Sequence, residues 1–199
     1  MNSKTRLNRT DWIVAAFRAL TEGGQQAIQV EPIARDLKVS KGSFYWHFKD
    51  VADLRAAMIV HWEEQATQAV IETVDQSAST APDRLRKLFE LVMAGHDEPY
   101  GGPRAEAAIR DWARHDVLVH TVLQKVDRQR IDYVQQLLDA VGQPRNLARR
   151  NARLLYAALL GLQQLAEPDA SSPLAELPDL LAMILHQDRE TISAPGRVE

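Results

Sequence analysis

The sequence predicts an all-α fold of about nine helices, an N-terminal three-helix helix-turn-helix head followed by a larger helical bundle. Three observations carry this expectation. Apolar residues recur at helical spacing from end to end, and no segment alternates apolar and polar for long. Glycines and prolines mark the joints between those periodic segments. Charge also divides the chain: residues 1–49 hold eight basic against four acidic residues, a net of +4, so the total of −3 leaves −7 for the remainder. A basic head on an acidic body suits a polyanionic partner.

Each element has its own signals. Thr10 or Asp11 can cap a first helix in which Trp12 or Ile13, Ala16, Phe17 and Leu20 share a face, and Gly23-Gly24 stops it. Pro32 suits the first turn of a short second helix with Ile33, Ala34 and Leu37 inward. Ser40 can cap a third, of about seven residues, carrying Phe44 and Phe48. Asp50, followed by Asp53, caps a long fourth helix running to about Ser77. Leu85, Leu88, Phe89 and Val92 mark the fifth, which ends before HDEPYGGP, and Ala108, Ile109 and Trp112 mark the sixth, after Pro103. The seventh runs from about Asp116 to Val141, with Val119, Val122, Val126, Tyr133 and Leu137 roughly in line, and Gly142 and Pro144 end it. Asn146 starts the eighth, and EPDASSP leads to the ninth, LAELPDLLAMILHQ.

At 199 residues the chain can bury a proper core, and with no cysteine it has neither disulfides nor thiolate chemistry. The N-terminus lacks the apolar stretch of a secretory signal, and the run LLYAALLGL is too short to cross a bilayer, so a soluble, cytoplasmic protein is expected.

The densest chemistry lies in VSKGSFYWHFKD, residues 39–50, which holds four aromatic residues in a chain only 6% aromatic. Helices two and three, joined by roughly KVS, form the tight angular pair whose second member enters the DNA major groove. Such short helices are marginal alone and need the first helix to give them a core, which Trp12, Phe17, Ile33, Leu37, Phe44 and Phe48 can build. At 100° per residue Phe44 and Phe48 fall together, whereas Gly42, Ser43, Trp46 and His47 gather on the other side. Glycine permits close approach there, hydroxyl and imidazole can bond phosphates or base edges, and an indole can pack on thymine methyls or sugars. Lys41 and Lys49 can supply charge to phosphates. The alternative for Tyr45 and Trp46 is that they complete the core.

VEPIARDLKVSKGSFYWHFKD, together with AAFRALTEGG before it, resembles the helix-turn-helix of the tetracycline-repressor (TetR) family of bacterial regulators over about residues 8–55. The resemblance implies DNA contacts from Ser40, Lys41, Ser43, Tyr45, Trp46 and His47, and burial of Phe44 and Phe48. Three positions depart from it. Gln29 stands where a capping threonine or serine is common. Lys38 stands where a turn glycine is common, so a residue with a side chain has to accept a left-handed backbone. Val51 stands where a phosphate-binding lysine or arginine is usual, leaving Lys49 to compensate.

The head is expected over residues 1–50, with a family-type domain reaching about residue 66, and a ligand-binding and dimerisation domain over 51–199. For that body the family implies a small-molecule pocket and a homodimer built from the last two long helices. Trp62, Met93, His96, Tyr100, Ile109, Trp112, His115 and Tyr133 lie on helices that should enclose a pocket for an organic effector. Helix eight is apolar on more than one narrow stripe, so Leu154, Leu155, Ala158, Gly161, Leu162 and Leu165 are expected, with Leu177, Leu181 and Ile184 of helix nine, at a dimer interface. The alternative is that both helices lie in a monomeric core. A two-fold dimer would suit a palindromic operator on double-stranded DNA.

Enzyme signatures are sparse. His61 and Glu64 stand three apart, and His96, Asp97 and Glu98 invite comparison with His115 and Asp116, but the matched glutamate and Glu-x-x-His sets of a di-iron bundle are missing. No Walker loop, G-x-S-x-G turn or H-E-x-x-H occurs. The expectation is a DNA-binding regulator, most simply a repressor released by its effector, with no cofactor, metal or membrane partner. The alternative is a helical enzyme or small-molecule carrier with a vestigial head.

Overall fold

The computed structural model describes residues 7–94, 102–165 and 174–193, with side chains in the last helix described to His186. Over these residues all regular structure is helical. The order agrees with the sequence reading: α1 (Arg9–Gly23), α2 (Val30–Asp36), α3 (Lys41–Phe44), α4 (Val51–Glu63), α5 (Ala69–Ser77), α6 (Ala81–Ala94), α7 (Gly102–Trp112), α8 (Val117–Ala140), α9 (Arg145–Leu165) and α10 (Leu177–Ser193). The expected long fourth helix is α4 and α5 joined by a π turn, Glu64–Gln68. That turn widens the helix by one residue and rephases the apolar positions beyond it, burying Thr67.

Side-chain capping sets the starts of α1 and α4. α1 begins earlier than expected because Asn8, not Thr10 or Asp11, is its cap. The Asn8 side chain accepts from the Asp11 N–H at 3.0 Å, and the Asp11 carboxylate accepts from the Asn8 N–H at 2.7 Å, so two orphan donors are satisfied together. Asp50 caps α4 as expected, accepting from the Asp53 N–H at 2.8 Å. Ser40 occupies the cap position of α3 in extended backbone, but its side chain makes no capping bond.

Two compact units form, Met1–Val70 with Ala94–Val126 and Ile71–Met93 with Asp127–Glu199. In the first, α1 packs on α2, α4 and α7, around a core that includes Trp12, Phe17, Ile33, Phe44, Phe48, Leu54, Trp62, Ile109 and Trp112. Leu37 and Val51 are partly buried against it. Asp116 ends the α7–α8 corner: one carboxylate oxygen accepts from Trp112 Nε1 at 3.2 Å, the other from the N–H groups of Leu118 and Val119.

In the second unit, Asn151 Nδ2 donates to Gln143 Oε1 at 3.2 Å, and Gln143 Nε2 donates to the Ile184 carbonyl at 3.4 Å. This buried chain ties α9 to α10 and satisfies polar groups that would be costly if left unpaired. Elsewhere in the unit the Tyr133 hydroxyl donates to Asp75 at 2.8 Å, and Arg84 stands 3.3 Å from the same carboxylate oxygen. Burial first, and then this bond, push the Tyr133 hydroxyl well above the ordinary tyrosine range.

Candidate nucleic-acid interface

The candidate interface begins at the turn that ends α2. The Val39 N–H donates to the Ala34 carbonyl at 2.9 Å and the Lys38 N–H to the Arg35 carbonyl at 3.1 Å, the paired bonds of a Schellman ending. That ending needs a left-handed residue, and Lys38 supplies it at φ 56°. The departure at Lys38 is therefore real: the turn is made without glycine. At Gln29, the cap of α2, no side-chain capping bond forms; the amide donates instead to the Gln26 carbonyl.

Beyond the turn, α3 is shorter than the seven residues expected. Four residues are α-helical, and the path then tightens, with Trp46 N–H bonding Ser43 and His47 N–H bonding Phe44. These three-residue steps crowd the last turn, as helix ends commonly do. The aromatic division survives the tightening. Phe44 and Phe48 are 0% and 2% exposed, while Tyr45 and Trp46 are 56% and 82% exposed. Trp12 meets Phe44 edge-on at 5.4 Å, and Tyr45 leans on the same ring at 5.2 Å. Tyr45 and Trp46 therefore do not complete the core.

Ser40, Lys41, Gly42 and Lys49 are exposed alongside them, with Ser43 and His47 half-buried. A Cβ built on Gly42 would come no closer than 3.7 Å to Ser40 Oγ, so the free head does not require glycine there. Val51, by contrast, turns its side chain toward the core.

Carboxylates answer several of the head's cations. Arg18 pairs with Asp36 at 2.7 Å, and Arg9 pairs with Asp53 at 3.4 Å while lying 4.7 Å over the Phe48 ring. Lys41 Nζ donates to Glu31 across the angle between α2 and α3. This hydrogen bond, more than any other influence, lowers the Glu31 carboxyl and raises the Lys41 ammonium from their ordinary values. Arg35, Lys38 and Lys49 have no ion pair among the described residues, and the Lys49 N–H is held by Asp53 at 3.0 Å. Sequence reading overlooked Glu31. Its signal was an acid in the first turn of one helix of the pair and a lysine opening the other.

The remaining candidates divide between the two units. Trp62, Ile109 and Trp112 are buried in the first unit's core, and His115 is exposed. Met93 and Tyr133 belong to the second unit, half-buried and buried respectively, with the Tyr133 hydroxyl engaged by Asp75. His96 and Tyr100, with Asp97 and Glu98, lie outside the described residues. On α9 and α10, Leu155, Leu177 and Ile184 are buried within the single chain, Leu154 and Leu165 are 52% and 77% exposed, and Ala158, Gly161, Leu162 and Leu181 are intermediate. Among the described residues no three metal-ligating side chains cluster, and no helix is long and apolar enough to cross a membrane.

Comparison with known proteins places this head. Residues 13–58 match the family described as bacterial regulatory proteins, tetR family. No curated protein matches the sequence. Solved structures do match in fold. A transcriptional regulator from Pseudomonas aeruginosa PAO1 superposes with a TM-score of 0.73 at 18% identity, covering 93% of this chain and 94% of that one. A TetR-family regulator from Agrobacterium tumefaciens gives 0.71 at 16% identity over 89% and 96%. A regulator from Saccharomonospora viridis, solved in complex with choline, gives 0.73 at 16% identity over 89% and 95%. Residues 13–58 thus match the helix-turn-helix head of the tetR family, and the chain carries that head on a fold shared with those regulators.

Proposed function

We propose that this chain is a TetR-type DNA-binding regulator, a homodimeric repressor released from a palindromic operator by a small organic effector. The observation that carries the reading is the split of the aromatic segment. Phe44 and Phe48 are buried, and Tyr45 and Trp46 are left in water between exposed Lys41 and Lys49. Exposing an indole costs solvation free energy unless a partner covers it, and a base or sugar edge beside two phosphate-seeking lysines would do so.

Exposed Leu154, Leu165 and Met183 on α9 and α10 support self-association, since a second copy would remove them from water. In a two-fold dimer the reading segments would stand one helical turn of DNA apart, about 34–36 Å. The choline bound to one fold neighbour supports an organic effector for this chain as well. Such an effector acts by binding the DNA-competent and DNA-incompetent states unequally.

A gel-shift series with the DNA upstream of the chain's own gene tests the reading. Wild type is expected to retard it and the double variant Trp46→Ala, Lys41→Ala to lose that binding. Retention by the double variant would remove the proposed reading segment.

A further inference from the structure

We infer that Glu31 is an intramolecular competitor of DNA for Lys41, so that Lys41 reaches a phosphate only by exchanging a protein carboxylate for a nucleic-acid oxygen. The inference rests on the DNA-binding reading above. Lys41 is the first residue of α3, Glu31 lies in the first turn of α2, and their side chains meet across the angle between the helices. Both side chains are more than half exposed, 51% and 56%, so a duplex arriving at this edge meets the pair directly. The N-terminal end of a recognition helix is the end that approaches base edges and the flanking backbone.

Two outcomes are open to the pair at that edge. A lysine ammonium has three donors and could bridge Glu31 and a phosphate, but this would hold two anions a few ångströms apart, well inside the Debye length of about 8–10 Å. Opening the pair avoids the repulsion and leaves Glu31 to water. The pair therefore exchanges, and the carboxylate opposes the contact. Arg35, Lys38 and Lys49, which have no ion pair among the described residues, carry no such exchange. Glu31 thereby lowers the sequence-independent share of binding, which comes from phosphate neutralisation.

The test uses the full chain and a labelled duplex of random sequence, followed by fluorescence anisotropy between about 50 and 200 mM salt. Glu31→Gln should bind about two- to fivefold tighter at the lower salt, the range of an exposed ion pair, with a steeper dependence on salt. Lys41→Gln should remove that gain, so that the double variant binds no better than Lys41→Gln alone. Urea unfolding should find every variant folded, since both positions are exposed.

Unchanged affinity in Glu31→Gln, with wild type binding normally, would overturn the inference and leave the DNA-binding reading standing. Weaker binding by Glu31→Gln would overturn it in favour of a direct contact from Glu31. A gain that persists without Lys41 would overturn the exchange. Failure of wild type and every variant to bind any duplex would overturn the DNA-binding reading, and this inference with it.

Discussion

Phe44 and Phe48 stack with ring centroids 5.5 Å apart and an interplanar angle of 26°, and this pair fixes the direction of the residues between them. Phe48→Ala should therefore destabilise the head by about 3 kcal/mol or more and abolish DNA binding. Trp46→Ala, at an exposed position, should leave stability within about 0.5 kcal/mol while weakening binding. Urea unfolding beside an anisotropy titration separates the two effects.

Lys38 holds a left-handed conformation that costs a residue with a side chain roughly 1 kcal/mol relative to glycine. Part of that is offset by the greater freedom glycine has when unfolded. Lys38→Gly is expected to raise unfolding stability by about 0.5 kcal/mol, read as a higher urea midpoint at unchanged slope. A lower midpoint would mean that the side chain does more for the fold than the backbone strain costs.

His61 gives the first unit a pH dependence of known sign. Burial holds its imidazole below the ordinary value of 6.5, with the Glu64 carboxylate acting in the opposite direction. The unfolded chain then takes up its proton first as pH falls, so stability declines from just above 6.5 down through the lower folded value and levels off beneath it. Subtracting the stability profile of His61→Gln from that of wild type between pH 5 and pH 8 should isolate this decline. A flat difference would assign the pH response to other groups.

Exposed Leu154 and Met183 allow the proposed dimer to be tested without disturbing the core, being 52% and 60% exposed. Leu154→Glu with Met183→Glu should convert a dimer to a monomer in sedimentation equilibrium and change helix content little. A double variant that sediments like wild type would place the self-association surface elsewhere.

Much of the head was legible because its signals are local. A carboxylate three residues before an N–H, a pair of phenylalanines four apart, and a missing glycine at a helix end each dictate geometry within one or two turns, and Asp50, Phe44 with Phe48, and Lys38 behave accordingly. Where several residues could serve one role, local signals were not decisive. In LNRTD the cap is Asn8 because Asp11 can return its bond, whereas Thr10 lies inside the helix. The π turn at Glu64–Gln68 has no compositional mark, since one extra residue in a helix changes phase and not residue type. The Glu31–Lys41 bond joins residues ten apart on two helices and depends on the angle between those helices. The joining of α7 and the start of α8 to the first unit depends on packing far apart in sequence, as does the burial of Leu155, Leu177 and Ile184 within one chain.

The exposed edge carrying Lys41, Tyr45, Trp46 and Lys49 is the part of the chain proposed to read DNA. The most direct test is an anisotropy titration of the upstream duplex against a scrambled duplex of equal composition, for wild type and Trp46→Ala, at one fixed salt concentration. Wild type should prefer the upstream duplex by at least about 10³-fold, and Trp46→Ala should lose a large part of this preference while keeping its salt-dependent background binding. Equal affinity of wild type for the two duplexes, or an unchanged preference in Trp46→Ala, would contradict the proposal.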